Sequence, residues 1–210
     1  MPLYRTYKKG DLTVGIWKVD ETVEQLRSMF HHFSIYEEGF SRFTSGKRQQ
    51  EWLAVRVLLK ELCGEEKEVV YHPSGKPYLK DGSAFISFSH THGYVAVALH
   101  PFAEVGVDIE QYGTRVQRVA SRFIREDERI SVESGDEVYS LLLHWSAKET
   151  LFKLMDNEAV DFINHLHVLP FCPGQSGEFE VCEYRSGRNQ KFHIHYDTHT
   201  DYVLTFACLE

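Results

Sequence analysis

The chain has 210 residues, of which 42% are hydrophobic and 26% are charged, a composition typical of globular rather than disordered or fibrous proteins. Its formal net charge of −8 argues against a nucleic-acid-binding protein, because such proteins usually carry a basic excess that neutralises phosphates. No segment approaches the roughly eighteen apolar residues of a membrane-spanning helix, and the first residues contain no run typical of a signal peptide. We therefore predict a cytoplasmic protein without a membrane or nucleic-acid partner.

The first half of the chain alternates strand-like and helical segments. Residues 50–62 are rich in Leu, Ala, Lys and Glu and are soon followed by Gly64, which predicts a largely buried helix. Residues 85–89 and 94–99 are rich in strand-forming side chains and are joined by a short polar link with Gly93, which predicts a hairpin. The other predicted elements of this half are a strand at 12–19, a helix at about 22–33, a short strand at Val69–Tyr71 and a turn at 72–77.

The second half begins with a predicted strand over residues 105–110, whose side chains alternate between two faces. One face carries Val105, Val107 and Ile109, and the other carries Gly106, Asp108 and Glu110. Residues 115–128 combine apolar positions with a stripe of arginines and predict one amphipathic helix. The remaining predictions are a long helix at 137–155 and a three-stranded meander at 179–184, 192–196 and 202–209.

Two segments of the chain align with each other. Residues 52–60 and 145–153 share Trp, Ala, Leu and Lys at the paired positions 52/145, 54/147, 58/151 and 60/153, and strand-like sequence follows each segment. We therefore predict an α+β fold with a pseudo-twofold duplication, in which each half has a long helix packed on a small, mainly antiparallel sheet. The predicted halves are residues 1–101 and 102–210. They differ where Arg56 aligns with Glu149, so that a junction between them would hold both signs of charge.

Three carboxylates are the first candidates for chemistry. Asp108 and Glu110 share a strand face, and together with a glutamate on a helix they would suit a hard cation such as Mg²⁺, which takes oxygen ligands. The alternatives are a solvated strand edge for Asp108 and Glu110, and a surface ion pair for Glu149 and Lys153, which lie four residues apart on a helix. The residue spacing alone leaves both interpretations open.

Three His-x-His pairs form a second candidate, because residues i and i+2 of a strand share a face and two histidines can hold a transition metal. The alternative is exposed strand histidines, since no third ligand is obvious near any pair. The pairs are His90 and His92, His165 and His167, and His193 and His195.

Four segments together resemble the signature blocks of the surfactin-synthetase-activating class of 4′-phosphopantetheinyl transferases. They occur in the order of that class, and they are Ser-Gly-Lys-Pro-Tyr-Leu at 74–79, Phe-Ser-His-Thr at 88–91, Val-Gly-Val-Asp-Ile-Glu at 105–110 and Trp-Ser-Ala-Lys-Glu-Thr-Leu-Phe-Lys at 145–153. The resemblance implies a monomer of two similar α+β halves with the active site between them. It also implies transfer of 4′-phosphopantetheine from coenzyme A to a serine of an acyl or peptidyl carrier protein, with release of adenosine 3′,5′-bisphosphate.

The resemblance further implies roles for individual residues. Asp108, Glu110 and Glu149 would bind the magnesium ion, and Glu149 would also act as the general base for the carrier serine. Lys153 would steady the pyrophosphate or orient Glu149. The implied coenzyme A contacts are His90 at the 3′-phosphate, Lys76 near the nucleotide phosphates and Ser89 at a phosphate. Two upstream cations, Arg48 and Arg56, are candidates for phosphate contact, with a solvated helix face or an internal ion pair as the alternative.

A carrier protein is the implied macromolecular partner. Carrier proteins are typically acidic, so that the basic stripe of residues 115–128, formed by Arg115, Arg118, Arg122 and Arg125, is a candidate docking surface. The alternative is a solvated face paired with the neighbouring Glu126, Asp127 and Glu128. Two other functions would use the same residues: a metal-dependent phosphodiesterase or nuclease, and a non-catalytic coenzyme A-binding module.

Overall fold

The computed structural model describes residues 3–130, 137–155 and 160–209. Within these ranges the chain combines α-helices with mainly antiparallel sheets, in agreement with the predicted α+β class. No helix in this described part of the chain has both the length and the apolar character needed to cross a membrane.

The described residues form eleven strands and four α-helices. The strands are β1 (Leu3–Lys9), β2 (Leu12–Lys18), β3 (Val69–Tyr71), β4 (Pro77–Leu79), β5 (Phe85–Thr91), β6 (Tyr94–His100), β7 (Val105–Gln111), β8 (Leu166–Val168), β9 (Ser176–Glu183), β10 (Gln190–Thr198) and β11 (Tyr202–Cys208). The α-helices are α1 (Val23–Ser28), α2 (Glu37–Ser41), α3 (Gly46–Cys63) and α4 (Glu137–Leu154).

The chain divides into two compact units, of which the first is Met1–Val105. Its main sheet has the strand order β1-β2-β6-β5, and β3 and β4 form a separate antiparallel pair. Helix α3 packs on β2 and β6, and it ends at Gly64, whose left-handed φ of 75° suits glycine. The predicted helix at 50–62 and the predicted hairpin, which β5 and β6 form, are both confirmed.

The second unit, Gly106–Glu210, contains a five-stranded sheet of order β7-β11-β10-β9-β8 with α4 packed on it. A buried core that includes Leu143, Leu151 and Val203 joins the helix to the sheet. The strand at 105–110, the long helix and the meander are confirmed as β7, α4 and β9 to β11.

Strand β7 and helix α4 approach each other unusually closely. A Cβ atom placed on Gly106 would lie 2.3 Å from the backbone oxygen of Thr150, a distance that atoms cannot adopt without movement of one backbone. Glycine at this position therefore lets the strand and the helix meet, and it brings the polar residues that follow in β7 close to those of α4.

The prediction of a single amphipathic helix at 115–128 is wrong. Two short 3-10 helices, Thr114–Arg118 and Ala120–Arg122, are followed by an irregular segment. Val116 and Phe123 are both buried in the core of the second unit, so that this segment is held by packing rather than by a regular helix.

A buried ion pair accounts for the irregular end of this segment. Lys148 and Glu128 have no exposed side-chain surface, and their charged atoms lie 2.7 Å apart. Lys148 also donates to the carbonyl oxygen of Phe123 at 2.6 Å, and Glu128 accepts from the backbone N–H of Arg125 at 2.8 Å. Buried charges need such additional hydrogen bonds, and these bonds use backbone groups that a continuous helix would have used itself.

The helix predicted at 22–33 is shorter than expected, because α1 ends at Ser28. Thr22 caps its first turn as a capping box. Beyond the helix, the backbone N–H groups of His31 and His32 donate to the carboxylate of Glu66, at 2.5 and 2.9 Å. A distant side chain thus binds groups that would otherwise continue the helix.

The close approach at Gly106 predicts that Gly106→Ala destabilises the fold. The added methyl group must push β7 away from α4, and we expect a loss of about 1–3 kcal/mol of unfolding free energy, measured by urea denaturation. The matched control is Gly113→Ala, because a Cβ there would meet nothing within 4 Å and the backbone is extended. Equal stability of the two variants would contradict the packing described for Gly106.

Candidate active site

Strand β7 and helix α4 bring four of the predicted site residues together in the second unit. Asp108 is buried, and Lys153 donates to its Oδ1 atom at 2.7 Å and to the carbonyl oxygen of Val107 at 3.0 Å. Lys153 therefore fixes the position of the strand as well as that of the carboxylate. Glu110 and Glu149 lie near enough to Asp108 for its charge to act on both.

Burial and mutual repulsion raise the pKa values of two of these carboxyl groups. Burial, followed by the charge of Asp108, raises the pKa of Glu149 to about 7, although Lys153 opposes the shift. The same two causes raise the pKa of Glu110. A carboxyl group with a pKa near neutrality can accept and release a proton under ordinary conditions, which suits a general base.

Two neighbouring residues of α4 hold the strand carboxylates, and sequence reasoning assigned neither of them a role. Trp145 Nε1 donates to Glu110 Oε1 at 2.7 Å, and Ser146 Oγ donates to Asp108 Oδ2 at 2.8 Å. The distance in sequence between Trp145 and Glu110 leaves no local pattern that would reveal this contact.

The chemistry of this group fits a hard cation. Three carboxylates supply the oxygen ligands that Mg²⁺ prefers, and burial, followed by negative charge that Lys153 does not fully balance, raises the pKa values of Glu110 and Glu149. As the side chains stand, however, no three His, Cys, Asp or Glu residues within 3–130, 137–155 and 160–209 are gathered as a finished metal-binding cluster. The donor set thus fits the ion, while a complete coordination shell is not preformed.

The first unit brings two of the predicted coenzyme A residues together. Arg48 Nη1 lies 3.1 Å from His90 Nε2, on the exposed surface near the beginning of α3. Glu51 is buried behind them and lies 3.1 Å from Arg48 and 3.8 Å from His90 Nδ1. Arg48 and His90 therefore form a small exposed pair that Glu51 orients.

Lys76, Ser89 and Arg56 lie in more enclosed surroundings of the first unit. Lys76 forms an ion pair of 2.9 Å with Glu104, and Ser89 is buried in β5. Arg56 is also buried, and its guanidinium lies 3.6 Å above the ring of Trp52 and donates to the hydroxyl of Tyr71 at 2.7 Å. Burial lowers the pKa of Arg56 from its ordinary value. Arg56 is thus an internal residue rather than part of a solvated helix face.

The His-x-His pairs do not gather a third ligand in the described part of the chain. On β10, His195 lies 3.4 Å from Glu178 and His193 lies 4.0 Å from Glu180, so that each faces a glutamate across the sheet. His193 is exposed and His195 is partly buried, so that only His193 fits the expectation of an exposed strand histidine.

The four arginines of the proposed docking surface differ in their surroundings. Arg115, Arg118 and Arg122 are exposed. Arg125 instead donates to Asp127 and to the carbonyl oxygen of Ile163, each at 2.8 Å. Its guanidinium therefore holds the local fold together.

Comparison with known proteins identifies similarity in the part of the chain that contains the carboxylates. Residues 104–207 match the family model of the 4′-phosphopantetheinyl transferase superfamily. The chain is 29% identical over 131 residues to the 4′-phosphopantetheinyl transferase AcpT of Salmonella typhimurium, a match that covers 60% of this chain and 68% of that protein. AcpT of Escherichia coli K12 is 35% identical over 66 residues, which are 31% of this chain and 34% of the relative.

The raised pKa of Glu149 predicts a pH-dependent effect of Glu149→Gln on stability in metal-free buffer. Ionising Glu149 is less favourable in the folded protein than in the unfolded chain, so that ionisation lowers the free energy of unfolding. This loss of stability is absent below pH 4.5, grows up to about pH 7 and is constant above it. We expect the neutral variant to be more stable than the wild type at pH 8, by on the order of 1–3 kcal/mol, and to match it near pH 4.5. Urea denaturation at several pH values measures this difference, and a difference that does not change with pH would contradict the assignment.

Proposed function

The chain is a 4′-phosphopantetheinyl transferase, and from this premise we propose that it transfers 4′-phosphopantetheine from coenzyme A to a serine of an apo acyl or peptidyl carrier protein. Adenosine 3′,5′-bisphosphate is the second product. The observation that carries the proposal is the group of Asp108, Glu110, Glu149 and Lys153, which lies on adjoining elements inside the segment that matches the family.

A magnesium ion is the proposed cofactor, with Asp108, Glu110 and Glu149 as its protein ligands. Bound there, it would offset the negative charge of the coenzyme A pyrophosphate. Two of these ligands are oriented by hydrogen bonds within the protein: Trp145 donates to one oxygen of Glu110, and Ser146 donates to one oxygen of Asp108.

Glu149 is the proposed general base. Its carboxylate would accept the proton of the carrier serine, so that the serine oxygen can attack the β-phosphorus of coenzyme A. Lys153 lies one turn further along α4, and its ammonium group donates to Asp108. From this position it would lie close to the pyrophosphate oxygens and stabilise their charge.

Coenzyme A contacts are proposed for five residues of the first unit: Arg48, Arg56, Lys76, Ser89 and His90. The exposed pair of Arg48 and His90 is the best supported of these, because a cation and an imidazole 3.1 Å apart suit a phosphate. Arg56 would need its surroundings to open before it could contact a phosphate, because it is enclosed by Trp52 and Tyr71.

We propose that the two units arose by duplication, as in the monomeric surfactin-synthetase-activating class. The element order β2, α3, β3, β4, β5, β6 in the first unit parallels β7, α4, β8, β9, β10, β11 in the second. The partial sheet orders β2-β6-β5 and β7-β11-β10 also correspond. A displacement of 93 residues relates Leu12 to Val105 at the start of the strands and Trp52 to Trp145 in the helices.

The same displacement supports a metal site at these positions of the second unit and not at the corresponding positions of the first. Asp108 and Glu110 of β7 correspond to Gly15 and Trp17 of β2, and Glu149 of α4 corresponds to Arg56 of α3. The first unit thus lacks all three carboxylates and has a guanidinium where the second has the proposed base. In this scheme the first unit contributes to coenzyme A binding, and the second carries the chemistry.

An acidic carrier protein is the proposed partner, and Arg115, Arg118 and Arg122 form its proposed docking surface. Their exposure allows them to attract a negatively charged helix despite the net charge of −8. Arg125 is a weaker part of this surface, because Asp127 already neutralises it.

The direct test is to incubate the protein with coenzyme A, Mg²⁺ and a panel of apo carrier proteins and to measure the intact mass of each carrier. We expect one carrier to gain the mass of a phosphopantetheine group. Glu149→Gln should slow the transfer by at least about 100-fold, because it removes the proposed base. Glu137→Gln, on the exposed first turn of the same helix, is the matched control and should transfer normally. A fully active Glu149→Gln variant would refute the role of Glu149.

The pair of Arg48 and His90 in the first unit predicts a separate effect of His90→Ala. Loss of a hydrogen bond to a charged phosphate should raise the KM for coenzyme A by about 10-fold or more and leave kcat nearly unchanged. His92→Ala, at the exposed turn that follows β5, is the control. If the two variants have the same KM for coenzyme A as the wild type, the assignment of His90 to a phosphate is wrong.

A further inference from the structure

A chain of buried hydroxyl groups lies behind Asp108. Ser146 Oγ donates to Asp108 Oδ2 and lies 2.8 Å from Thr205 Oγ1. Thr205 Oγ1 lies in turn 2.7 Å from Thr150 Oγ1, and Thr150 also donates to the carbonyl oxygen of Thr205 at 3.2 Å. None of the three hydroxyl-bearing residues has exposed surface.

Helix α4 and strand β11 supply these three hydroxyl groups. Ser146 and Thr150 lie one turn apart on α4, so that they share a face of the helix. Thr205 lies on β11, the neighbour of β7 in the sheet. The hydroxyl of Thr205 thus meets both helix hydroxyls and connects β11 to Ser146, the residue that holds Asp108.

Packing alone does not account for a threonine at this position. The neighbouring residues of β11, Val203, Leu204, Phe206 and Ala207, are all buried and apolar, and a valine would have the shape of Thr205 without a polar group to satisfy. Burying a hydroxyl costs free energy unless it is hydrogen-bonded, and a set of hydrogen-bonded side chains replaced together by apolar residues of the same shape can be equally stable. Thr205 therefore calls for an explanation beyond stability.

The contact with Ser146 supplies that explanation. A serine in a helix can turn its hydroxyl towards a backbone carbonyl of the preceding turn instead of towards another side chain. A hydrogen bond to Thr205 restricts Ser146 to the rotamer that reaches Asp108. Because Lys153 holds Oδ1 and Ser146 holds Oδ2, the orientation of the carboxylate depends on both partners.

We propose that Thr205 is a positioning residue that acts through Ser146 to orient Asp108 for cation binding. The inference rests on the proposed function, because it takes Asp108 as a ligand of the divalent ion. Partners that hold metal ligands in place typically contribute about 10- to 100-fold to metal affinity. Thr205 belongs to none of the sequence blocks that point to the activity, and only the fold brings it to the site.

The test measures binding of Mn²⁺ alone to the full-length protein by electron paramagnetic resonance, for the wild type, Thr205→Val and Thr205→Ser. Valine keeps the shape and removes the hydroxyl, and we expect it to weaken Mn²⁺ binding about 10-fold. Serine keeps the hydroxyl, and we expect it to bind Mn²⁺ as the wild type does.

A control separates positioning from a general loss of stability. Val203→Ala removes buried apolar volume from the same strand without touching the hydroxyl chain, and we expect it to lower stability but to leave Mn²⁺ affinity unchanged. Wild-type affinity in Thr205→Val, or weakened binding in all three variants alike, would overturn the role of Thr205 and leave the proposed function standing. Failure of the wild type to bind Mn²⁺ would overturn both.

Discussion

The close contact between β7 and α4 is the constraint on which the candidate site depends. Because Gly106 has no side chain, the strand backbone can lie against the helix backbone at Thr150. Asp108 then comes within reach of Lys153 and Ser146 on α4. A bulkier residue at 106 would separate carboxylates that belong to elements far apart in the sequence.

The contact between β7 and α4 also brings like charges together, and their burial and repulsion determine the chemistry of the site. Asp108, Glu110 and Glu149 are enclosed together, and Lys153 supplies only part of the compensating charge, so that burial and repulsion raise the pKa values of both glutamates. A buried excess of negative charge is costly for a fold unless something offsets it. A divalent cation bound by the three carboxylates would offset it.

Two kinds of feature could be predicted from the sequence: elements with a regular hydrophobic period, and residues that lie in the signature blocks of the transferase family. Strand β7 and helix α4 follow from alternation and composition, and Asp108 and Glu149 follow from the resemblance to the transferase family. The irregular segment after Thr114–Arg118 could not be predicted, because it depends on the buried pair of Lys148 and a glutamate 20 residues away. Strand β1 was missed since its residues are mostly exposed and show no buried alternation. Long-range hydrogen bonds, such as that of Trp145 to Glu110, leave no local pattern.

The central claim is that carboxylates of β7 and α4 meet around one divalent ion. Anomalous X-ray diffraction from crystals of the protein grown with Mn²⁺ and coenzyme A tests it most directly. The account predicts one strong anomalous peak within about 2.0–2.6 Å of oxygen atoms of Asp108, Glu110 and Glu149, and in contact with the pyrophosphate. A well-ordered pyrophosphate bound elsewhere on the protein, with no peak beside these carboxylates, would contradict it.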